Sequence, residues 1–242
     1  MKEVTYPLLR RSGWHCLKCM SAVADAGKER SSTGKSLFIE LFSGSGHVAA
    51  AARTAGFETI TIDIEEDKKP DICIDIINLR NSALPGRADV VWASIPCTVY
   101  STLSIATHWR KISIGYRQYQ YIPQTPKSIE AIRILNKTIR LIRKLKPTYY
   151  FIENPRGALR HFPQMLLVPY RKTISYHDYG FEYYKPTDIF TNCPHFNPKR
   201  IKTAVNRKFE KELMDVGTAA ERAIIPPNLI LEVVSCVSHL VK

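Results

Sequence analysis

The chain has 242 residues, 45% of them hydrophobic, a length and balance that suit a single α/β domain with a sizeable core. Lysine and arginine number 35 against 22 acidic residues, a formal net charge of +13, which favours a nucleic acid over an acidic protein as partner. No signal peptide, long basic amphipathic helix or run of about 18 apolar residues is legible, which argues against a membrane partner and gives a cytoplasmic expectation, bacterial or in an infected host.

Residues 1–35 read as an appendage of mixed character that ends in a polar linker, and 36–242 as the domain proper. The six cysteines have no disulfide-framework spacing and are expected to be reduced. Only Cys16 and Cys19 stand at metal-ligand spacing. His15, Cys193 and His195 would complete a zinc site only if the fold gathered them, so two ordinary thiols is the simpler reading and no metal is expected.

The first core strand runs into Phe42-Ser43-Gly44-Ser45-Gly46 and then a helix-favouring stretch. A strand, a tight glycine turn and a helix N-terminus make a nest of backbone N–H groups for the polar end of a nucleotide-like ligand. The third glycine of the dinucleotide fingerprint is missing, which leaves NAD poorly supported. Two acid-apolar pairs follow, Asp63-Ile64 after a strand over 58–62 and Asp75-Ile76 closing a short strand over 71–76. The first acid suits a ribose diol, and the second pair suits the edge and face of an adenine.

Residues 89–93 read as a buried parallel strand, with Pro96-Cys97 just past its carboxyl end, where open α/β sheets bind ligands. A lone cysteine is usually a small buried hydrophobe, but this position makes Cys97 a candidate nucleophile. Residues 98–127 are expected to form a long lid-like loop whose Tyr100, Trp109, Arg110, Lys111, Tyr116 and Tyr119 suit phosphates and unstacked bases. An amphipathic helix is expected over 128–145, with Ile129, Ile132, Leu135, Ile139 and Ile142 inward and Arg133, Lys137, Arg140 and Lys144 solvated. The aromatic strand that follows ends in Glu153-Asn154-Pro155, the proline expected to stop the ladder and the glutamate placed for acid chemistry. The basic segment 194–217 reads equally as a surface crossover or as base readout.

In this order the pieces resemble the DNA (cytosine-5)-methyltransferase family from about Leu37 onward. They are the glycine turn, Asp63, Asp75, Pro96-Cys97, Glu153-Asn154, Asp178-Tyr179-Gly180 leading to Lys185-Pro186-Thr187, and Arg222-Ala223-Ile224-Ile225-Pro226-Pro227. The resemblance implies a Rossmann-like, S-adenosylmethionine-dependent α/β fold, a mostly parallel sheet flanked by helices. It assigns Phe42, Ser43, Gly44, Ser45, Gly46, Asp63, Ile64, Asp75, Ile76 and Pro96 to the cofactor, and Cys97, Glu153 and Lys185 to catalysis. Asn154, Thr187, Arg110, Lys111, Arg207 and Lys208 become the expected DNA contacts, and 194–217 takes the slot of a much reduced target-recognition segment. The family's late Gln-x-Arg-x-Arg pattern is Tyr183, Lys185 and Thr187 here; Thr98 replaces its Gln after Pro-Cys, and Pro155 its Val after Glu-Asn.

The implied chemistry is addition of the Cys97 thiolate to C6 of a cytosine flipped out of the DNA, with Glu153 assisting at N3 and a methyl group passing to C5. The same residues would serve an RNA or a uracil, and a catalytically silent nucleic-acid-binding protein of the same fold is the reading from a different class. Ile95-Pro96-Cys97 stands where amino-directed methyltransferases need a Pro-Pro-aromatic turn, which argues against them. The oligomeric state is open.

Overall fold

The computed structural model describes residues 34–116, 118–198 and 217–241. Cys16, Cys19, Arg207 and Lys208 lie outside the described residues. Nine strands are described: β1 (Leu37–Leu41), β2 (Glu58–Asp63), β3 (Ile72–Cys73), β4 (Val90–Ser94), β5 (Trp109–Gly115), β6 (Gln118–Pro123), β7 (Tyr149–Pro155), β8 (Tyr170–Ser175) and β9 (Pro186–Thr191). Seven make one sheet in the order β3-β2-β1-β4-β7-β9-β8. The first five run parallel, β9 lies antiparallel between β7 and β8, and β5 and β6 form a separate hairpin.

Strands β1 and β4 lie at the centre and are almost wholly apolar because both of their faces are covered. On one face Val48 and Ala52 of helix α1 (His47–Thr54) pack with a C-terminal helix against Phe38, Trp92 and Phe151. On the other face the long helix over Pro126–Leu145 covers Ile39, Leu41, Val91 and Ile152. The remaining helices, in chain order, are α2 (Ile105–His108), α3 (Pro126–Leu145, the long helix), α4 (Pro163–Leu166), α5 (Ala219–Ala223) and α6 (Pro227–Val237). The architecture is the mostly parallel, helix-flanked Rossmann-like sheet expected from the sequence.

Several local expectations change. Strand β3 is only two residues long, because Asp75 leaves the ladder to accept a hydrogen bond from the Ile77 N–H in a turn. Ile76 points into the core beside Ile72 and Leu79 and is no wall for a ligand. Pro155 does not stop β7; it pairs with Thr187 at the end of the antiparallel ladder. In α3 the buried stripe is Ala131, Leu135, Leu141, Ile142 and Leu145 with Ser128 and Thr138, while Ile129 is exposed. Lys137 and Lys144 are not simply solvated, since their ammonium groups donate to the carbonyls of Leu79 and of Asn81 and Leu84.

The stretch Glu221–Leu240 has the length and apolar composition of a membrane span, contrary to the sequence expectation. Its break at residues 224–226 divides it into α5 and α6, and Leu229, Ile230, Val233, Val234 and Val237 of α6 are buried in the core.

The stretch over 98–127 is not a loop. It is a turn, α2, the β5–β6 hairpin and the start of α3. Tyr100 and Trp109, expected as nucleic-acid contacts, are buried: their rings stack at 5.7 Å, and both meet the edge or face of Phe162. The exposed arm of this element carries Arg110, Lys111 and Tyr116.

Candidate active site

Three parallel strands deliver their carboxyl ends to one edge of the sheet. From β1 comes the glycine turn. Gly44 and Gly46 have φ of 47° and 69°, a region that side chains disfavour, and this lets the chain reverse within four residues and start α1. The Gly44 N–H donates to Asp63 Oδ2 at 2.7 Å and the Glu65 N–H to Oδ1 at 2.9 Å, so Asp63 is bound to the turn while each oxygen keeps a lone pair. Ile64 beside it is 64% exposed, an apolar face open to a ring.

Beneath the turn sits Glu40, which the sequence reading did not single out. Its Oε2 accepts the Ala49 N–H at 2.8 Å at the start of α1. Burial raises its pKa to about 8, outweighing the backbone hydrogen bonds that favour its charge. An acid inside the apolar run Leu37–Leu41 was the available signal. The buried Ser43 Oγ has no hydrogen-bond partner. Together with the nest and Asp63, this orphan fits the polar and ribose parts of a nucleoside-like cofactor. Asp75 and Ile76 do not add to that set in the way expected, for the reasons given above.

The second half of the site joins β4 and β7, which pair in register so that Ser94 lies opposite Glu153. Cys97 follows β4 by three residues, half-buried, with the N–H groups of Tyr100 and Ser101 bonded to its carbonyl. Asn154, fully buried, donates from Nδ2 to the Ile95 carbonyl at 2.7 Å. The turn after Cys97 and the turn after Glu153 are also laced together, the Ala158 N–H donating to the Tyr100 carbonyl at 2.8 Å. Gly157 makes this possible: a Cβ there would stand 2.0 Å from the Tyr100 oxygen.

Strand β9 runs the other way, so its start is what reaches this edge, bringing Lys185 and Thr187. Lys185 is buried, donates to the Arg222 carbonyl at 2.7 Å and sits 4.4 Å over the ring of Tyr176. Tyr176 in turn donates to Glu153 Oε1 at 3.0 Å. Burial raises the pKa of Glu153, opposed by the Lys185 charge and the Tyr176 hydrogen bond. The Cys97 thiol is also pushed up, first by burial and next by Glu153, while Lys185 pulls it down. These influences place Cys97, Glu153 and Lys185 in one electrostatic site.

Tyr176 and the ion pair behind it were not anticipated. Asp188, buried in β9, is bound by Arg160 through Nε at 2.9 Å and through its NH2 group at 2.5 Å, and by the Thr173 hydroxyl at 2.7 Å. Thr187 is fully buried and bonds to the Lys185 carbonyl, so it supports the site from behind. Pro96 is exposed at the mouth. Arg110 and Lys111 stand on the hairpin, with the Lys111 ammonium 3.6 Å over the Tyr119 ring.

The expected recognition segment begins far from this edge. Asn192 binds the backbone of Thr148 and Tyr150 at the start of β7, and His195 lies against the Tyr149 ring. Among the described residues no cluster of three or more His, Cys, Asp or Glu is arranged to hold a metal.

No protein-family model matches the chain. It is 29% identical over 175 residues to a protein of Frog virus 3 (isolate Goorha) named a probable DNA (cytosine-5)-methyltransferase, a match covering 66% of this chain and 72% of that one. Among solved structures it is similar to the Dnmt2 methyltransferase of S. pombe (15% identity, 64% of this chain and 50% of that one, TM-score 0.42). It is also similar to the methyltransferase EhMeth of Entamoeba histolytica (16% identity, 74% and 57%, TM-score 0.43). The matches span only about half the length of those structures.

Proposed function

We infer that this chain belongs to the DNA (cytosine-5)-methyltransferase family and transfers a methyl group from S-adenosylmethionine to C5 of cytosine in DNA. The observation that carries the reading is the convergence of a thiol, a buried acid whose pKa is raised and a lysine at the carboxyl-end edge of a parallel sheet. The similarity to the Frog virus 3 protein supports the same reading.

Ser43, Gly44, Gly46, Asp63 and Ile64 would hold the cofactor, with Glu40 supporting the turn from below. When bound, S-adenosylmethionine supplies an electrophilic methyl group. C5 of cytosine is too weak a nucleophile to take it until the ring is activated. Cys97 loses its proton to water as Lys185 stabilises the thiolate, and its sulfur adds to C6. Glu153 gives a proton to N3, so the electron pair released toward the ring is held at C5 as an enamine. After the methyl group is in place, water removes the C5 proton, the C6–S bond breaks and the N3 proton returns to Glu153. Addition at C6 needs an approach perpendicular to the ring, so the base must be unstacked, at a cost of about a few kcal/mol. Arg110 and Lys111 are proposed phosphate contacts, and the proposed partner is DNA in the cytoplasm of a bacterium or an infected host.

The test is incubation with labelled S-adenosylmethionine and, separately, duplex DNA, single-stranded DNA and RNA, followed by mass spectrometry of the nucleosides. 5-Methylcytosine from DNA is expected. Label confined to RNA, or found on an exocyclic nitrogen, would overturn the assignment.

A further inference from the structure

Glu153 has two carboxyl oxygens, and Tyr176 claims one of them. The phenol donates to Oε1 at 3.0 Å, with Tyr176 fully buried and Glu153 6% exposed, so water does not compete for that oxygen. The phenol is held from two sides: Phe181 meets its ring edge-on at 5.7 Å, and the Lys185 ammonium lies 4.4 Å over its face.

Of the two oxygens of a protonated carboxyl the carbonyl oxygen is the better acceptor, so a donor fixed on Oε1 favours the proton on Oε2. While Tyr176 donates, the proton that Glu153 carries in its proposed role at N3 is favoured on Oε2, and Oε1 offers its remaining lone pair. The carboxyl therefore presents a fixed pattern, donor at Oε2 and acceptor at Oε1. Cytosine presents the complement, an acceptor at N3 beside an amino donor at C4. Uracil presents the reverse, an N3–H donor beside the O4 acceptor. To meet uracil, Glu153 would have to move its proton to Oε1, where the phenol's proton already points.

We propose that Tyr176 is a specificity-determining residue that holds the site to cytosine over uracil by keeping Glu153 Oε1 an acceptor. The inference rests on the proposed role of Glu153 at N3 and goes beyond it, because it names what fixes the direction of the hydrogen bonds to the base. Buried polar groups left mismatched are what give large discrimination between otherwise similar substrates.

The experiment uses Tyr176→Phe, which removes the hydroxyl and keeps the ring packed. Two matched oligonucleotides carry 5-fluorocytosine or 5-fluorouracil at the target position; fluorine blocks the final proton loss, so each addition is read as a covalent adduct. Wild type is expected to trap the cytosine strand at least a hundredfold faster, and Tyr176→Phe to narrow that ratio at least tenfold. Equal slowing of both strands, with the ratio unchanged, is what lost packing alone would produce, and it overturns the inference. If wild type traps neither strand while remaining active on the unmodified site, the addition chemistry itself fails and the inference falls with it. Should Tyr176→Phe not fold, Tyr176→Met removes the hydroxyl with a side chain that adapts to the space left; narrowing in the same direction is expected, and an unchanged ratio overturns the proposal.

Discussion

Asn154 donates through Nδ2 to the carbonyl of Ile95 at 2.7 Å, tying the strand that carries Glu153 to the turn that carries Cys97. Both partners are buried, and the side-chain oxygen of Asn154, Oδ1, has no hydrogen-bond partner. Asn154→Ala leaves the Ile95 carbonyl unpaired and is expected to cost about 1 to 3 kcal/mol in denaturant unfolding. Transfer activity should fall more than this loss of folded protein explains, because the acid and the nucleophile lose their shared spacing. Wild-type activity per folded molecule would show that the tie does not position the pair.

Cys97→Ser is expected to abolish transfer and the 5-fluorocytosine adduct while S-adenosylmethionine still binds. Burial and Glu153 already disfavour the thiolate, and a serine alkoxide is harder still to form at neutral pH. Calorimetry and adduct gels together check it, and activity within tenfold of wild type would remove Cys97 from the nucleophile's role.

Asp63 does two jobs, so its variants should differ. Asp63→Ala removes both the proposed ribose contact and the partner of the Gly44 N–H, and should weaken S-adenosylmethionine binding about tenfold or more, in line with about 1.5 to 3 kcal/mol for a charge-assisted hydrogen bond. Asp63→Asn keeps an acceptor for Gly44 and should lose less. Equal affinities for all three proteins by calorimetry would mean the ribose is held elsewhere.

Glu40 sets a pH dependence of stability. Its pKa in the folded chain is raised to about 8, so the neutral form's contribution is fully present below the ordinary carboxylate range and lost as pH rises through about 8. Glu40→Gln lacks that loss. Between pH 4.5 and 9 the variant should gain on wild type by at most about 4 to 5 kcal/mol, since one pKa unit corresponds to about 1.4 kcal/mol. Parallel stability curves would show that Glu40 is not held neutral.

The basic hairpin can be tested by salt dependence. Neutralising Arg110 and Lys111 together should flatten the slope of log affinity against log salt by up to about two units on duplex DNA. Arg140 and Arg143, both exposed on α3, form the matched control and should leave it nearly unchanged. Equal effects from both pairs would mean diffuse charge and no groove along the hairpin.

Much of the site was legible because it hangs on strand ends. Apolar runs fix β1, β4 and β7, and a residue just past the carboxyl end of a parallel strand is committed to one edge, which is why Cys97, Glu153, Asp63 and the glycine turn appear where the sequence places them. What arrives from a distant part of the chain was not legible. Tyr176 reaches Glu153 from the 3₁₀ turn Tyr176–Tyr179, across 23 residues of sequence, and nothing in its neighbours marks it apart from other tyrosines. Ile76 was misread because an apolar residue after an acid looks alike whether it faces a ligand or the core. The hairpin was misread because Tyr100 and Trp109 carry the composition of a binding loop but find a third ring, Phe162, to bury against.

That aromatic trio has a mechanical consequence. Trp109 opens β5, stacks on Tyr100 and donates through Nε1 to the Val99 carbonyl at 2.7 Å, and Tyr100 is itself bonded to the Cys97 carbonyl. The hairpin is thus tethered to the turn that carries Cys97. Under the proposed function, a polymer pressing on its tip would load the backbone of Cys97, so a poor fit would be felt as a misaimed sulfur, and selection among targets would reach the rate of bond formation as well as the tightness of the grip.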